Sequence, residues 1–128
     1  MAEMSNYLEN ALINVTLRAT SYTAPAAVYV GLYTTDPTDA NSGTEVSGGS
    51  YARVAVTMGA PSNGVSTNSA AVTFPTATGT WGTVGWIGIL DASTSGNLLY
   101  HTPLDASKSI TAGDIFTIAI GNLSVTLG

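Results

Sequence analysis

The spacing of apolar residues changes once along this chain, shortly after residue 20. Before that point Leu8, Leu12 and Val15 recur three and four residues apart, which predicts one helix over residues 5–19. Ser5 is the expected N-cap of this helix, because serine accepts a hydrogen bond from the first helical turn. A single helix is therefore expected to open the chain.

After the helix, apolar residues alternate with polar ones in short runs separated by glycine, proline, asparagine and aspartate, a pattern typical of strands and turns. The predicted strand segments are 27–33, 51–58, 65–69, 71–74, 84–90, 97–104, 114–120 and 123–127. Seven to nine short strands predict an all-β fold: one β-sandwich or jelly-roll-like domain with one N-terminal helix. We assign residues 1–21 to a helical attachment segment and residues 22–128 to the β-sandwich domain.

The composition favours an assembly protein. Charged residues make up 9% of the 128 residues and hydrophobic ones 45%, and interface cores are depleted of charge in this way. With three basic residues and a net charge of −5, the chain is not expected to bind nucleic acid. No apolar run reaches the length of a membrane span, and the absence of cysteine excludes disulfides and thiol catalysis. The N-terminus lacks the pattern of an export signal, so synthesis in a cytoplasm is expected.

No set of residues indicates catalysis or a cofactor. His101 is the only histidine, and no G-x-S-x-G sequence accompanies it. A Ser–His–Asp triad and a small hydrolase stay open in principle, but a structural histidine is the favoured interpretation. We expect that the protein is not an enzyme.

Three of the eight acids, Asp36, Asp39 and Glu45, lie in a long predicted loop over residues 34–50. Such a loop could gather a hard cation such as calcium. The favoured interpretation is an Asx turn at Asp36 together with solvated charges, so no metal site is assigned. Arg53 is expected to pair with a carboxylate such as Glu45, because a lone cation among apolar neighbours needs compensation.

The candidate contact residues lie on the helix and in one loop. The apolar stripe of the helix either covers an open end of its own sandwich or docks onto a neighbouring subunit. Trp86 is expected in the core, whereas Trp81, in a loop rich in threonine and glycine, either packs or contacts a ligand or partner. The residues proposed for partner or oligomer contact are Tyr7, Leu8, Leu12, Val15 and Trp81.

Nearly the whole chain, in order, resembles a family of short bacteriophage proteins usually labelled tail fibre proteins. The segments that carry the resemblance are SNYLEN at 5–10, YTAPAAVYVGLYTTDPT at 22–38, EVSGGSYAR at 45–53, FPTA at 74–77, TWGTV at 80–84, LDAS at 90–93, GNLL at 96–99 and AGD at 112–114. The resemblance implies a non-enzymatic structural component of a phage virion, and it brings no catalytic residues.

The expected function is a surface-exposed, homo-oligomeric virion protein of the tail-fibre or fibre-base type, assembled in the cytoplasm of the host bacterium. A trimer would suit a fibre base or a capsid three-fold position, so the partners are other copies and other virion proteins of the tail or capsid. Two alternatives are a capsid decoration (cement) protein on the phage head and a module that binds host-surface glycans through loops 34–50 and 76–83.

Overall fold

A computed structural model describes residues 2–127 and, within them, one helix and nine strands. The helix is α1 (Asn6–Leu17). The strands are β1 (Glu3–Met4), β2 (Val28–Tyr33), β3 (Val54–Val56), β4 (Val65–Thr67), β5 (Val72–Thr73), β6 (Gly82–Leu90), β7 (Leu98–Ile110), β8 (Thr117–Ile118) and β9 (Ser124–Thr126). No helix within residues 2–127 is long and apolar enough to cross a membrane.

The strands form one large sheet and two small ribbons, all antiparallel. The large sheet has the order β1-β7-β6-β2-β3, and the ribbons are β4-β9 and β5-β8. The long central strands β6 and β7 are joined by the turn at residues 91–97, where the Asp91 carboxylate accepts a hydrogen bond from the backbone N–H of Asn97 at 2.7 Å. The large sheet therefore supplies the frame on which the other elements pack.

The main core lies between the large sheet and the two ribbons. Alternate residues of the central strands, such as Leu32 and Ile87, point to this side because side chains alternate between the faces of a strand. They pack against Val72, Phe74 and Phe116 from the second layer, and the Phe74 and Phe116 rings meet edge to face with centroids 5.7 Å apart. These two layers confirm the predicted all-β sandwich with an N-terminal helix.

The opposite face of the large sheet carries a smaller apolar cluster of Tyr33, Leu90 and Leu98, with Trp86 packed against it. Gly88 makes room for this cluster, since a Cβ at this position would lie 2.7 Å from a methyl carbon of Leu98 and 2.9 Å from the Tyr33 ring. Trp86 thus packs as predicted, although its side chain is only partly buried.

Strand β7 differs most from the sequence prediction, which ended it at residue 104 and placed a turn over 105–113. In the structure the strand runs on to Ile110, and Lys108 to Ile110 pair with Val84 to Gly82 of β6. The side chains of this extension are mostly exposed and polar, so the apolar alternation used for the prediction is absent there. Backbone pairing with β6 is what makes the segment a strand.

The N-terminal segment enters the sheet before the helix begins. Glu3 pairs with His101 and Met4 with Tyr100, which places β1 on the edge of β7. Ser5 then caps α1 as predicted: its hydroxyl accepts a hydrogen bond from the Leu8 N–H at 3.2 Å and donates one to the Leu98 carbonyl. The start of the helix is therefore fixed to the sheet by β1 and by Ser5 itself.

Candidate functional site

The first half of the 34–50 loop folds back towards the start of α1. The Asp36 carboxylate accepts a hydrogen bond from the Thr38 N–H at 2.9 Å, which confirms the predicted Asx turn. Pro37 behind it is fully buried, and the Asp39 carbonyl accepts a hydrogen bond from the Asn6 N–H at 2.9 Å. The loop is thus held against the helix, and its acidic side chains are directed to β7.

These acidic side chains meet His101, and we call Glu3, Asp36, Asp39 and His101 the His101 cluster. The imidazole is 6% exposed, and its Nε2 lies 2.7 Å from Asp39 Oδ1 and 4.0 Å from Glu3 Oε2. Its Nδ1 lies 3.9 Å from Asp36 Oδ1. Three carboxylates, one from β1 and two from the 34–50 loop, therefore surround one buried imidazole ring.

The His101 cluster has the composition of a ligand set. The recorded partners of His101 within residues 2–127 are carboxylates, and no serine hydroxyl is among them. Glu3, Asp39 and His101 can each present one donor atom, and these atoms lie within 4.8 Å of one another. Nothing in the sequence connects Glu3 with His101, so this convergence was not predicted.

A second acidic cluster, formed by Glu45, Tyr51 and Arg53, lies at the other end of the loop; we call it the Glu45 cluster. Arg53 binds the Glu45 carboxylate through two hydrogen bonds of 2.8 Å, one to each oxygen. The Tyr51 hydroxyl donates to Glu45 Oε2 at 2.6 Å and accepts from the Leu32 N–H at 2.9 Å. The predicted Arg53–Glu45 pair is confirmed.

Burial and charge both mark the Glu45 cluster as a closed unit. Burial and then the hydrogen bond to Glu45 raise the pKa of Tyr51, and the hydrogen bond to Glu45 raises the pKa of Arg53. Burial, with the nearby Glu45 charge, raises the pKa of Tyr33 to about 12. Arg53 also donates to the Ala92 and Ser95 carbonyls at 2.9 and 2.7 Å, so the cluster fastens the turn that joins β6 to β7.

The helix projects from the domain. Leu8, in its first turns, is buried and Leu12 is half-buried, whereas Tyr7 and Val15 are exposed. The predicted stripe therefore covers its own domain only at its N-terminal end.

The most exposed apolar residues of α1 are ones that the sequence analysis did not select. Ile13 is 52% exposed and Leu17 is 78% exposed. They are four residues apart and so lie on the same side of the helix. We call α1 from Ile13 to Leu17 the helix arm.

Trp81 is part of the core. Its side chain is 4% exposed, its indole N–H donates to the Gly49 carbonyl at 2.9 Å, and its ring meets Tyr51 edge to face with centroids 5.4 Å apart. Of the two interpretations of Trp81, packing is the one that the structure shows. Neither Trp81 nor the buried Leu8 offers a surface to a partner, so we leave both out of the proposed contact.

A cleft lies elsewhere, between β7 and the segments that carry β8 and β9. It has a volume of about 620 Å³ and is lined by residues that include Ile87, Leu104, Lys108, Phe116 and Asn122. The His101 cluster lies outside this lining. The cleft and the only histidine therefore do not combine into one site.

The fold and these surfaces together define a class: a small β-sandwich protein with a projecting apolar arm. The family model for the podophage GP4 fiber I protein gp80 matches residues 3–126. The chain belongs to this family and is thus a bacteriophage fibre protein, a structural component of the virion, which confirms the family resemblance seen in the sequence. A search of curated proteins found no match to the chain.

Proposed function

We propose that this protein is a non-enzymatic, homo-oligomeric component of the phage fibre, built from three copies that associate through their helix arms. The observation that carries the proposal is the exposure of Ile13 and Leu17 on an otherwise anchored helix. Apolar side chains gain about 25 cal/mol for each Å² removed from water, so an arm of this kind favours association.

The helix arm also needs support that its own domain does not give. A helix of 12 residues is marginal in water when it stands alone. The N-terminal end of α1 is capped and packed, but residues 15–20 are all exposed. Packing against another chain would supply the contacts that keep the end of the helix formed.

A second copy of this chain is the partner that the charge distribution favours. Glu9 and Arg18 are the only charged side chains of the helix and its cap, and they lie at opposite ends of it. Because the helix carries so few charges, helices of identical copies can approach around a symmetry axis with little repulsion between like charges. In a fibre, copies of one chain surround a common axis, and a ring of three copies would suit a fibre base.

The alternatives from the sequence are less well supported. Membership of a fibre family favours a position on the tail over a decoration role on the head. A glycan-binding module needs an exposed aromatic ring on which a sugar can stack, and the 76–83 loop has its tryptophan in the core.

Size-exclusion chromatography with light scattering tests the proposal. The untagged protein should have three times its chain mass of 13.0 kDa. The double variant Ile13→Gln/Leu17→Gln should run as a single chain with an unchanged circular dichroism spectrum of its strands.

The matched control is Ile115→Gln/Ile120→Gln, which changes two apolar residues of comparable exposure far from the helix in sequence. This variant should keep the mass of the unmodified protein. A trimer that survives the helix substitutions, or an unmodified protein that is monomeric at assembly concentrations, would overturn the proposal.

A further inference from the structure

We propose that the His101 cluster binds one divalent transition-metal ion of the Zn²⁺ type, with His101, Asp39 and Glu3 as its protein ligands. The proposal is independent of the oligomeric state and of the helix arm. It rests on the chemistry of the donor atoms, their separations and the local charge.

The donor set consists of one imidazole nitrogen and two carboxylate oxygens. Zn²⁺ is bound by histidine nitrogen and by aspartate or glutamate oxygen, and sites of three protein ligands leave a fourth position for water. Calcium and magnesium prefer sites made of oxygen atoms alone. The presence of His101 therefore favours zinc and related first-row ions over calcium.

The separations between the donor atoms suit a tetrahedral ion. Bonds of about 2.0 Å at tetrahedral angles place neighbouring ligand atoms roughly 3.3 Å apart. Nε2 of His101 lies 2.7 Å from Asp39 Oδ1 and 4.0 Å from Glu3 Oε2, on either side of this value. Small rotations of the two exposed carboxylates would equalise the distances, while burial holds the imidazole in place.

Asp36 occupies the position of a supporting group. Histidine ligands of metals commonly present their second ring N–H to a carboxylate, which sets the tautomer and orients the ring. When Nε2 binds the ion, Nδ1 carries the hydrogen, and Asp36 Oδ1 lies 3.9 Å from it, so the carboxylate would have to move closer to accept a hydrogen bond. Asp36 would thus orient the His101 ring without binding the ion itself.

The local charge favours the binding of a cation. Among residues 2–127, the ion pairs recorded for Glu3, Asp36 and Asp39 all go to His101, and no lysine or arginine takes part in them. Three carboxylates around one imidazole leave a negative charge in either protonation state of the ring. A divalent ion would compensate this charge, as Arg53 does for Glu45 in the other cluster.

The ion would join three separate parts of the fold. Glu3 lies on β1, Asp39 on the loop and His101 on β7, and α1 begins two residues after β1 ends. Metal binding would therefore fix the N-terminal strand and the base of the helix to the sheet. Because the ion binds the folded arrangement, it should also raise the unfolding temperature, by about 5–10 °C at a hundredfold excess over its dissociation constant.

Isothermal titration calorimetry with ZnCl₂ tests the site on untagged, EDTA-treated protein. One Zn²⁺ per chain should bind to the unmodified protein, and Ca²⁺ should bind at least tenfold more weakly. Glu3→Gln should weaken Zn²⁺ binding by about tenfold or more, and His101→Gln should abolish it. Glu3 is 72% exposed, so its substitution leaves folding intact even if that of the buried His101 does not.

Asp105→Asn is the matched control, because Asp105 is an exposed carboxylate on the same strand as His101. This variant should bind Zn²⁺ as the unmodified protein does. Failure of the unmodified protein to bind Zn²⁺, wild-type affinity in Glu3→Gln, or Ca²⁺ binding as tight as Zn²⁺ binding would each overturn the proposal.

Discussion

The 34–50 loop contributes acidic residues to two clusters, and only one of these clusters compensates its negative charge with a cation from the same chain. At one end Glu45 is largely buried, and a guanidinium from the same chain binds both of its oxygens. At the other end Asp36 and Asp39, joined by Glu3, are about half or more exposed and have only a buried imidazole as partner. The Glu45 cluster is complete within the chain, whereas the His101 cluster keeps an excess of negative charge.

This difference separates a structural ion pair from a candidate ligand set. A buried carboxylate has to be paired within the fold, since an unpaired buried charge costs several kcal/mol. Exposed carboxylates are solvated and carry no such cost, so their convergence can be retained for an ion from solution. Substitutions in the two clusters should therefore have unequal effects on stability.

The largest effect is expected from Arg53→Met. Methionine keeps much of the length of the side chain but leaves Glu45 without its cation and releases the Ala92 and Ser95 carbonyls. We expect the free energy of unfolding to fall by about 3–5 kcal/mol, the cost of breaking a buried pair. Urea denaturation at a fixed chain concentration measures it.

Arg18→Met is the control for this substitution, because Arg18 is exposed at the end of the helix. Within residues 2–127 its side chain hydrogen bonds only to the side chain of Asn14. It should change the free energy of unfolding by less than about 0.5 kcal/mol. A loss below about 1 kcal/mol for Arg53→Met would show that the Glu45 cluster is not closed in the way described.

An intermediate effect is expected from Gly31→Ala. A Cβ at Gly31 would lie 2.9 Å from Glu45 Oε2 and 3.2 Å from the Tyr51 hydroxyl, so the Glu45 cluster would have to move. Overpacking of this kind costs about 1–3 kcal/mol. Gly85→Ala is the control in the neighbouring strand β6, where the nearest atom would be 4.0 Å away. Equal stabilities of the two variants in urea would contradict the close approach.

The contrast between the clusters also shows how far the sequence could lead. The Arg53–Glu45 pair was predictable, because a single cation in an apolar strand requires a nearby acid. The Asx turn at Asp36 was predictable from local chemistry alone. Both features depend on residues that are close in sequence.

The His101 cluster could not be predicted from local sequence patterns. Asp39 and His101 are 62 residues apart, and Glu3 reaches them through a strand of two residues, too short to show a period. The helix arm was missed for another reason. Apolar periodicity selected Leu8, Leu12 and Val15 but could not show which side of the helix the domain would cover. Ile13 and Leu17 were therefore not selected as contact residues.

The smallest effect, and the sharpest test of the comparison, is expected from Glu3→Gln in the presence of EDTA. Glutamine keeps the size of the side chain and removes one of three like charges around His101, so the free energy of unfolding should change by no more than about 0.5 kcal/mol.

Glu45→Gln makes the same chemical change in the Glu45 cluster and should cost about 2–3 kcal/mol, because it takes the charge from a buried bidentate pair. Urea denaturation of both variants, measured side by side without metal, isolates the role of each carboxylate in the fold itself. A loss above about 1 kcal/mol for Glu3→Gln would mean that Glu3 is a structural partner of His101, and the two clusters would then differ only in exposure.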